Sequence, residues 1–154
     1  MQSYDELVRE AALRIKEIMP WDLRGMIDSG NPVLLLDVRE PSEFAVAHIP
    51  GSVNVPRGVL EQACEWDYEE TLPRLAAREE VDIVVICRSG KRSLLAADRM
   101  REMGFERVFS LKLGVRGWND FEQPVEDMAG KSIDVDEAEI LLAPRVRADQ
   151  KRPA

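Results

Sequence analysis

The stretch DIVVICRSGKRSLLAADRMREMG, residues 82–104, decides the fold, because it predicts a buried strand, a tight loop and a helix in succession. Residues 83–86 form an uninterrupted β-branched apolar run, which is typical of a strand buried on both faces of a parallel sheet. Ser93 is the predicted N-cap of the helix, and Gly104 is its predicted left-handed C-terminal residue. Between them, apolar residues recur at helical spacing: Leu94, Ala97 and Met100.

Cys87 lies where the predicted strand ends, and open α/β sheets usually bind ligands at that edge. The loop after it contains the cations Arg88, Lys91 and Arg92. These charges, together with the N–H groups at the start of the helix, favour the thiolate over the thiol. The alternative is a small buried apolar residue, but cations are costly to bury around such a site. The pattern therefore predicts that Cys87 is a nucleophile.

The composition indicates one acidic domain. The chain has 154 residues, 45% of them hydrophobic, and its formal net charge is -8. An acidic chain is a poor general nucleic-acid binder, so the basic loop indicates a small anion rather than a polyanion. We find no apolar run long enough for a membrane span and no secretory signal pattern at the N-terminus, and we expect a cytoplasmic protein with no membrane partner.

Cysteine and histidine usage predicts neither a metal site nor a dithiol motif. Cys64 and Cys87 are far apart, and His48 is the one histidine. We expect Cys64 to be a packed bystander, with a thiol that resolves oxidised Cys87 as the alternative. His48 lies in an H-I-P-G turn, where we expect its side chain to bond the backbone; the alternative is a general base.

Residues 1–19 predict an amphipathic helix with a capping box formed by Ser3 and Glu6. Its apolar stripe consists of Tyr4, Leu7, Val8, Ala11, Ile15 and Ile18. We expect the domain's own core to cover this stripe, and the alternative is a homo-oligomer formed through the helix. A short second helix is predicted over residues 21–27.

The next segment predicts a second central strand over residues 33–37. Asp37 and Arg39 follow at its carboxyl end, where they could share the crevice of Cys87, or they could be ordinary surface ions. A short helix from Pro41 and a strand over 52–55 come next. The long connection after it has several predicted core contacts: Leu60, Trp66, Tyr68, Leu72 and Leu75.

The C-terminal part predicts a strand over residues 107–111, which completes a right-handed βαβ unit. A helix containing Gly114, Gly117 and Trp118 follows, and a short helix is predicted over 135–142. The polar end of the chain is predicted to be mobile.

Three motifs give the chain a resemblance to the single-domain rhodanese family of sulfurtransferases. They are LLLDVREPSEFAVAHIPGSVNVP (34–56), CRSGKRS (87–93), which resembles the active-site loop C-x-x-G-x-R-S, and LKLGVRGW (111–118), which resembles L-x-G-G-x-x-x-W. The likeness covers residues 20–125 and leaves 1–19 and 126–154 as extensions. Leu113 departs from it by replacing a glycine, so packing near the loop is expected to differ.

The resemblance implies a three-layer α/β fold with a central, mostly parallel sheet and helices on both faces. It also implies that Cys87 accepts a sulfane sulfur from an anionic donor such as thiosulfate, and that the persulfide passes it to cyanide or a thiol without a cofactor. The loop residues would bind the substrate: Arg88, Ser89, Gly90, Lys91, Arg92 and Ser93. Asp37 and Arg39 would support the site.

Two other functions are weighed against this one. A persulfide relay or regulatory module would serve a protein partner, such as a sulfur-accepting protein. A phosphatase or arsenate reductase would need a C-x5-R loop, whereas four residues separate Cys87 from Arg92.

Overall fold

Five parallel strands form the central sheet in the computed structural model, which describes all 154 residues. In chain order they are β1 (Lys16–Ile18), β2 (Val33–Asp37), β3 (Val53–Asn54), β4 (Asp82–Ile86) and β5 (Val108–Leu111). Their order across the sheet is β1-β5-β4-β2-β3, and every neighbouring pair is parallel. The predicted α/β class with a central parallel sheet is confirmed, and the Asp82–Ile86 strand lies at the middle of the sheet.

Helices cover both faces of the sheet. They are α1 (Tyr4–Ala12), α2 (Pro20–Asp28), α3 (Pro41–Val46), α4 (Leu60–Ala63), α5 (Pro73–Ala76), α6 (Lys91–Glu102), α7 (Gly114–Asp120) and α8 (Val135–Leu142). Side chains of α1, α4, α5 and α6 share one buried apolar cluster, and those of α2, α7 and α8 share another. The sheet separates the two clusters, which gives the expected three layers.

Alternation along the central strands supplies both clusters. Ile83 and Val85 belong to the cluster under α6, whereas Val84 and Ile86 belong to the cluster under α7. Side chains alternate across a strand, so a continuous apolar run serves two cores at once. This is why Cys87, the next residue along, lies under α6.

The predicted N-terminal helix is too long. The helix ends at Ala12, and residues 16–18 form the edge strand β1, which pairs with β5. Ile15 and Ile18 are buried in the structure and would also be buried in a longer helix, so their spacing could not distinguish the helix from the strand. α1 packs against α6, with Ala11 fully buried between them.

Two predicted core contacts in the long connection are wrong. Trp66 and Tyr68 are 53% and 51% exposed, whereas Leu60 and Leu75 are buried. The segment 65–71 forms turns at the surface, where aromatic rings remain partly in solvent. No helix combines the length and apolar character needed to cross a membrane.

Candidate active site

The Cys87 thiol lies beneath the first turn of α6, with only 1% of the residue exposed. Its Sγ accepts hydrogen bonds from the backbone N–H groups of Gly90, at 3.1 Å, and Ser93, at 3.3 Å. The Ser93 hydroxyl oxygen lies 3.4 Å from the same sulfur. Donors converging on one sulfur, at the positive end of a helix dipole, stabilise negative charge on that atom.

The prediction that Ser93 is the N-cap of α6 is wrong. Gly90 is the N-cap, with a φ of +96°, and α6 begins at Lys91. The left-handed backbone at Gly90, which glycine adopts readily, reverses the chain so that free helix N–H groups point at Sγ. The sulfur, rather than a serine hydroxyl, therefore satisfies the start of this helix.

Ser110 supports the site from the neighbouring strand β5. Its hydroxyl lies 2.8 Å from the Ser93 hydroxyl, and both residues are fully buried. This pair extends the hydrogen-bond network from the sulfur into the sheet. The sequence analysis missed Ser110, although a serine in the apolar strand VFSL was a signal for it.

The start of α7 holds the loop from the other side. The N–H of Val115 donates to the Cys87 carbonyl at 2.9 Å, and the N–H of Arg116 donates to the Arg88 carbonyl at 3.1 Å. Gly114 lies so close that a Cβ added to it would overlap the Cys87 carbonyl oxygen. The third motif therefore matters because its glycine lets two backbone segments meet.

Leu113 has a left-handed backbone conformation, which glycine adopts more readily than leucine. Its φ is +69°, in the left-handed region that costs a non-glycine residue about 1–2 kcal/mol. The side chain lies over Gly117, where an added Cβ would overlap it, and remains 47% exposed. The Leu113 side chain therefore packs onto the glycine one turn further along α7.

Two of the three loop cations are paired with carboxylates from distant segments. Lys91 Nζ lies 3.0 Å from Asp5 of α1, and this hydrogen bond lowers the pKa of the Asp5 carboxyl. Arg92 binds Glu43 of α3 through two bonds of 2.8 and 2.9 Å, and Arg92 lowers the pKa of the Glu43 carboxyl. Arg88 makes no salt bridge and lines an open cleft beside the loop. It is therefore the loop cation most available to an anion, while exposed Ser89 lies at the loop tip.

The extension α1 also reaches the site. The Lys91 ammonium lies 5.8 Å from the centre of the Tyr4 ring. Burial raises the pKa of the Tyr4 hydroxyl, and the charge of Cys87 raises it further. Two bonds from Arg14 to Asp98 of α6, at 2.8 and 2.6 Å, fix α1 in this position. Tyr4 and Asp5 were missed as site residues because they lie outside the three motifs.

Asp37 and Arg39 form a buried ion pair rather than a surface one. Their side chains are 0% and 1% exposed, and Arg39 Nη2 lies 2.8 Å from the Asp37 carboxylate. Arg39 also donates to the Ala47 carbonyl at 2.7 Å, and Asn54 donates to the carbonyls of Asp37 and Arg39. The pair fixes the loop after β2, and Arg39 reaches the wall of the same cleft as Arg88.

His48 and Cys64 are both engaged elsewhere. His48 Nδ1 lies 2.7 Å from the Phe44 carbonyl, and its Nε2 lies 3.6 Å from the Glu126 carboxylate. His48 therefore fixes its turn. Cys64 is 1% exposed, and burial raises the pKa of its thiol to about 11, which fits a packed bystander. No three potential metal-ligating carboxylate, thiol or imidazole side chains cluster in the structure.

The geometry gives Cys87 the features of a nucleophile whose charge is held by the backbone. A thiolate, a persulfide anion or a leaving group that becomes negative at this position would be stabilised by the same N–H donors. The loop is tight, and its N–H groups converge on one sulfur atom.

Comparisons with known proteins agree with this geometry. The chain matches the family model described as Rhodanese-like domain over residues 19–121. YrkF of Bacillus subtilis, a candidate sulfur carrier protein, is 36% identical over 109 residues, which cover 71% of this chain and 54% of YrkF. The chain thus spans about half the length of that relative.

Two solved structures are similar to this chain in overall fold. The human single-domain sulfurtransferase TSTD1 has a TM-score of 0.58 and 28% identity, covering 68% of this chain and 95% of that protein. RPA3614 of Rhodopseudomonas palustris, described as of unknown function and a possible tyrosine phosphatase, has a TM-score of 0.75 and 29% identity, covering 82% of this chain and 96% of that one. The family-model match over residues 19–121 agrees with the parallel sheet and the cysteine loop, and the chain belongs to the rhodanese-like domain family.

Proposed function

We propose that this chain is a sulfurtransferase that carries a sulfane sulfur on Cys87, from an anionic donor such as thiosulfate to cyanide or a thiol. The observation that carries the proposal is the pair of N–H bonds from Gly90 and Ser93 to Sγ at the end of β4. Family membership and relatives named as sulfurtransferase or sulfur carrier support sulfur transfer as the general activity.

In the first half-reaction, the Cys87 thiolate attacks the outer sulfur of thiosulfate. A new S–S bond forms at Sγ, the S–S bond of thiosulfate breaks, and sulfite leaves with that electron pair. The product is the Cys87 persulfide anion. Donors that meet Sγ in the resting site are suited to charge on the adjacent sulfur as well.

In the second half-reaction, the acceptor attacks the outer sulfur of the persulfide. Cyanide carbon takes the sulfur as thiocyanate, or a thiolate takes it as a new persulfide, and the electron pair of the broken S–S bond returns to Cys87. Each step is a displacement at sulfur, so the cycle needs no cofactor.

The surrounding residues have separate roles in this proposal. Arg88 binds the anionic donor, because it is the loop cation without a carboxylate partner. Arg92 positions the active-site loop through its bonds to Glu43, and the buried Asp37–Arg39 pair fixes the loop after β2. Lys91 adds positive charge near the entrance, reduced by its bond to Asp5. Gly90 and Ser93 supply the donors to the sulfur.

A relay that serves a protein acceptor is the second candidate. The likeness to YrkF, a candidate sulfur carrier, favours it. In that case the same persulfide forms on Cys87, but small acceptors react slowly and a sulfur-accepting protein reacts quickly. The persulfide chemistry is therefore common to both candidates, and the acceptor separates them.

A phosphatase is the third candidate, raised by the description of RPA3614. The contacts of Arg92 disfavour this candidate, because both terminal guanidinium nitrogens donate hydrogen bonds to the Glu43 carboxylate. A phosphate would have to compete with that carboxylate. Hydrolysis of p-nitrophenyl phosphate, lost in Cys87→Ser, would favour this candidate over sulfur transfer.

The test is the formation of thiocyanate from thiosulfate and cyanide. We expect activity in the wild type and in Cys64→Ser, and none in Cys87→Ser. Cys64 is the matched control because it is the other buried free cysteine. Similar losses in both variants would contradict a single nucleophile at Cys87.

A further inference from the structure

A cleft of about 250 Å³ opens beside the active-site loop, between α3 and the end of α8. Arg88 and Val46 line one side, and Leu141 and Arg145 line the other. Arg88 directly follows Cys87 in the chain and is the residue through which the cleft borders the active-site loop; Cys87 itself does not line the cleft. Arg145 lies outside the matched family region, residues 19–121, and the cleft is therefore completed by the C-terminal extension.

The far wall is firmly attached to the domain. Ala138 and Leu142 of α8 are 0% and 3% exposed and belong to the buried cluster under α7. The Asn119 side chain donates to the Val135 carbonyl at 3.0 Å, which fixes the start of α8. Arg145 comes three residues after Leu142, the last residue of this packed helix, and lines the cleft from the exposed segment that follows.

The cleft carries uncompensated positive charge in an acidic protein. Arg39 and Glu43 also line it, but Arg39 is paired with Asp37 and Glu43 with Arg92. Arg88 and Arg145 form no salt bridge, although the chain has a formal net charge of -8 and carboxylates are abundant. Two free guanidinium groups in one cleft indicate an anionic ligand, since arginine binds carboxylate and similar oxyanions through paired bonds.

The cleft is too large and too apolar for a small inorganic donor or acceptor alone. Its volume is about 250 Å³, and nine residues line it. Val46, Leu141 and Leu142 supply apolar walls, which suit methylene groups rather than an ion. A ligand with a short carbon chain and an anionic end fits both features.

We propose that this cleft binds a low-molecular-weight thiol that carries a carboxylate, with Arg145 as a specificity-determining residue for the sulfur acceptor. The inference rests on the proposed sulfur transfer and names its acceptor class. The carboxylate lies between Arg88 and Arg145, the carbon chain lies against Val46 and Leu141, and the sulfur reaches the Cys87 persulfide. The thiol first loses its proton to solvent. Its thiolate then forms an S–S bond with the outer sulfur, and the electron pair of the broken bond returns to Cys87.

The test compares two acceptors that differ only in charge, 3-mercaptopropionate and 3-mercaptopropionamide. Protein carrying sulfur on Cys87 is mixed with each, and the single-turnover rate is measured. We expect Arg145→Gln to lower the ratio of carboxylate to amide rate constants by about five- to tenfold, the loss of one charge-assisted contact. Arg147→Gln is the matched control, because Arg147 is also exposed on this segment but pairs with Asp149 and does not line the cleft.

An unchanged ratio in Arg145→Gln would overturn the inference, and so would an equal fall in Arg147→Gln, which would indicate a general charge effect. If the wild type forms thiocyanate but transfers sulfur to neither thiol, the acceptor assignment is overturned while the proposed function stands. If it forms no thiocyanate either, the proposed function fails and the cleft is judged by binding alone. For that, 3-(methylthio)propionate is titrated into the full chain while the arginine Nε–H signals are followed by NMR. Saturable shifts at Arg88 and Arg145 would support the cleft as a carboxylate site, and their absence would overturn it.

Discussion

Arg39→Met should destabilise the fold far more than an arginine substitution at the surface. The change leaves the Asp37 carboxylate, 0% exposed, without the guanidinium that holds it at 2.8–3.1 Å. Breaking a buried pair by removing one partner costs about 3–5 kcal/mol. The Ala47 carbonyl also loses its donor at 2.7 Å, which adds about 1 kcal/mol.

Urea unfolding at neutral pH measures this cost. A loss of about 5 kcal/mol, with a slope of about 2 kcal/mol/M, lowers the unfolding midpoint by about 2.5 M. Arg107→Met is the control. The Arg107–Asp82 salt bridge is partly exposed, and exposed pairs contribute at most about 1 kcal/mol to the free energy of unfolding. Removing both charges, with Asp37→Leu and Arg39→Met together, should recover part of the loss. Two results would refute the buried-charge reasoning. One is a loss of unfolding free energy in Arg39→Met within about 1 kcal/mol of the loss in Arg107→Met. The other is a double variant less stable than Arg39→Met.

Three further predictions concern the active-site loop and its neighbours. Gly114→Ala should destabilise the fold by about 2–3 kcal/mol and lower sulfur transfer, because its Cβ would overlap the Cys87 carbonyl oxygen. Calorimetry measures the loss of stability, and the thiocyanate assay measures the loss of activity. Gly58→Ala is the control and should change neither, because the space around Gly58 is open. Cys64 should react with iodoacetamide at pH 7.5 about 100-fold more slowly than an exposed cysteine, because a pKa raised to about 11 lowers its thiolate fraction by that factor. Peptide mass spectrometry follows the rate of labelling. Labelling as fast as that of an exposed cysteine would contradict the burial of this thiol. Asp5→Asn removes the carboxylate that pairs with the Lys91 ammonium. The KM for thiosulfate should then fall about two- to threefold at low salt and return to the wild-type value at high salt. An unchanged KM at low salt would mean that Lys91 takes no part in attracting the donor.

The sheet could be predicted largely from local sequence. Continuous apolar runs at residues 33–36 and 83–86 are typical of strands buried on both faces, and these residues lie in β2 and β4. β1 could not be recognised in the same way, because it is three residues long and its one apolar residue, Ile18, fits the stripe of the preceding helix. Its identity depends on pairing with β5, which is a property of the tertiary fold.

The candidate site was predictable in its centre and unpredictable at its edges. Cys87 and its loop form one local segment, so adjacent residues were enough to predict backbone N–H groups around its sulfur. The carboxylates that neutralise Lys91 and Arg92 come from α1 and α3, and no local pattern reports such contacts. Arg145 likewise reaches the site through the packing of α8. Ser93 was assigned to the wrong role because the helix begins on the sulfur instead of on a serine cap.

The most direct measurement of the central claim is the intact mass of the protein before and after thiosulfate, for the wild type and for Cys87→Ser. We expect the wild type alone to gain one sulfur atom and to lose it on addition of cyanide, with thiocyanate released in equal amount. A sulfur gained equally by Cys87→Ser, or a wild-type mass unchanged by thiosulfate and by other sulfane sulfur donors, would contradict a persulfide carried on Cys87.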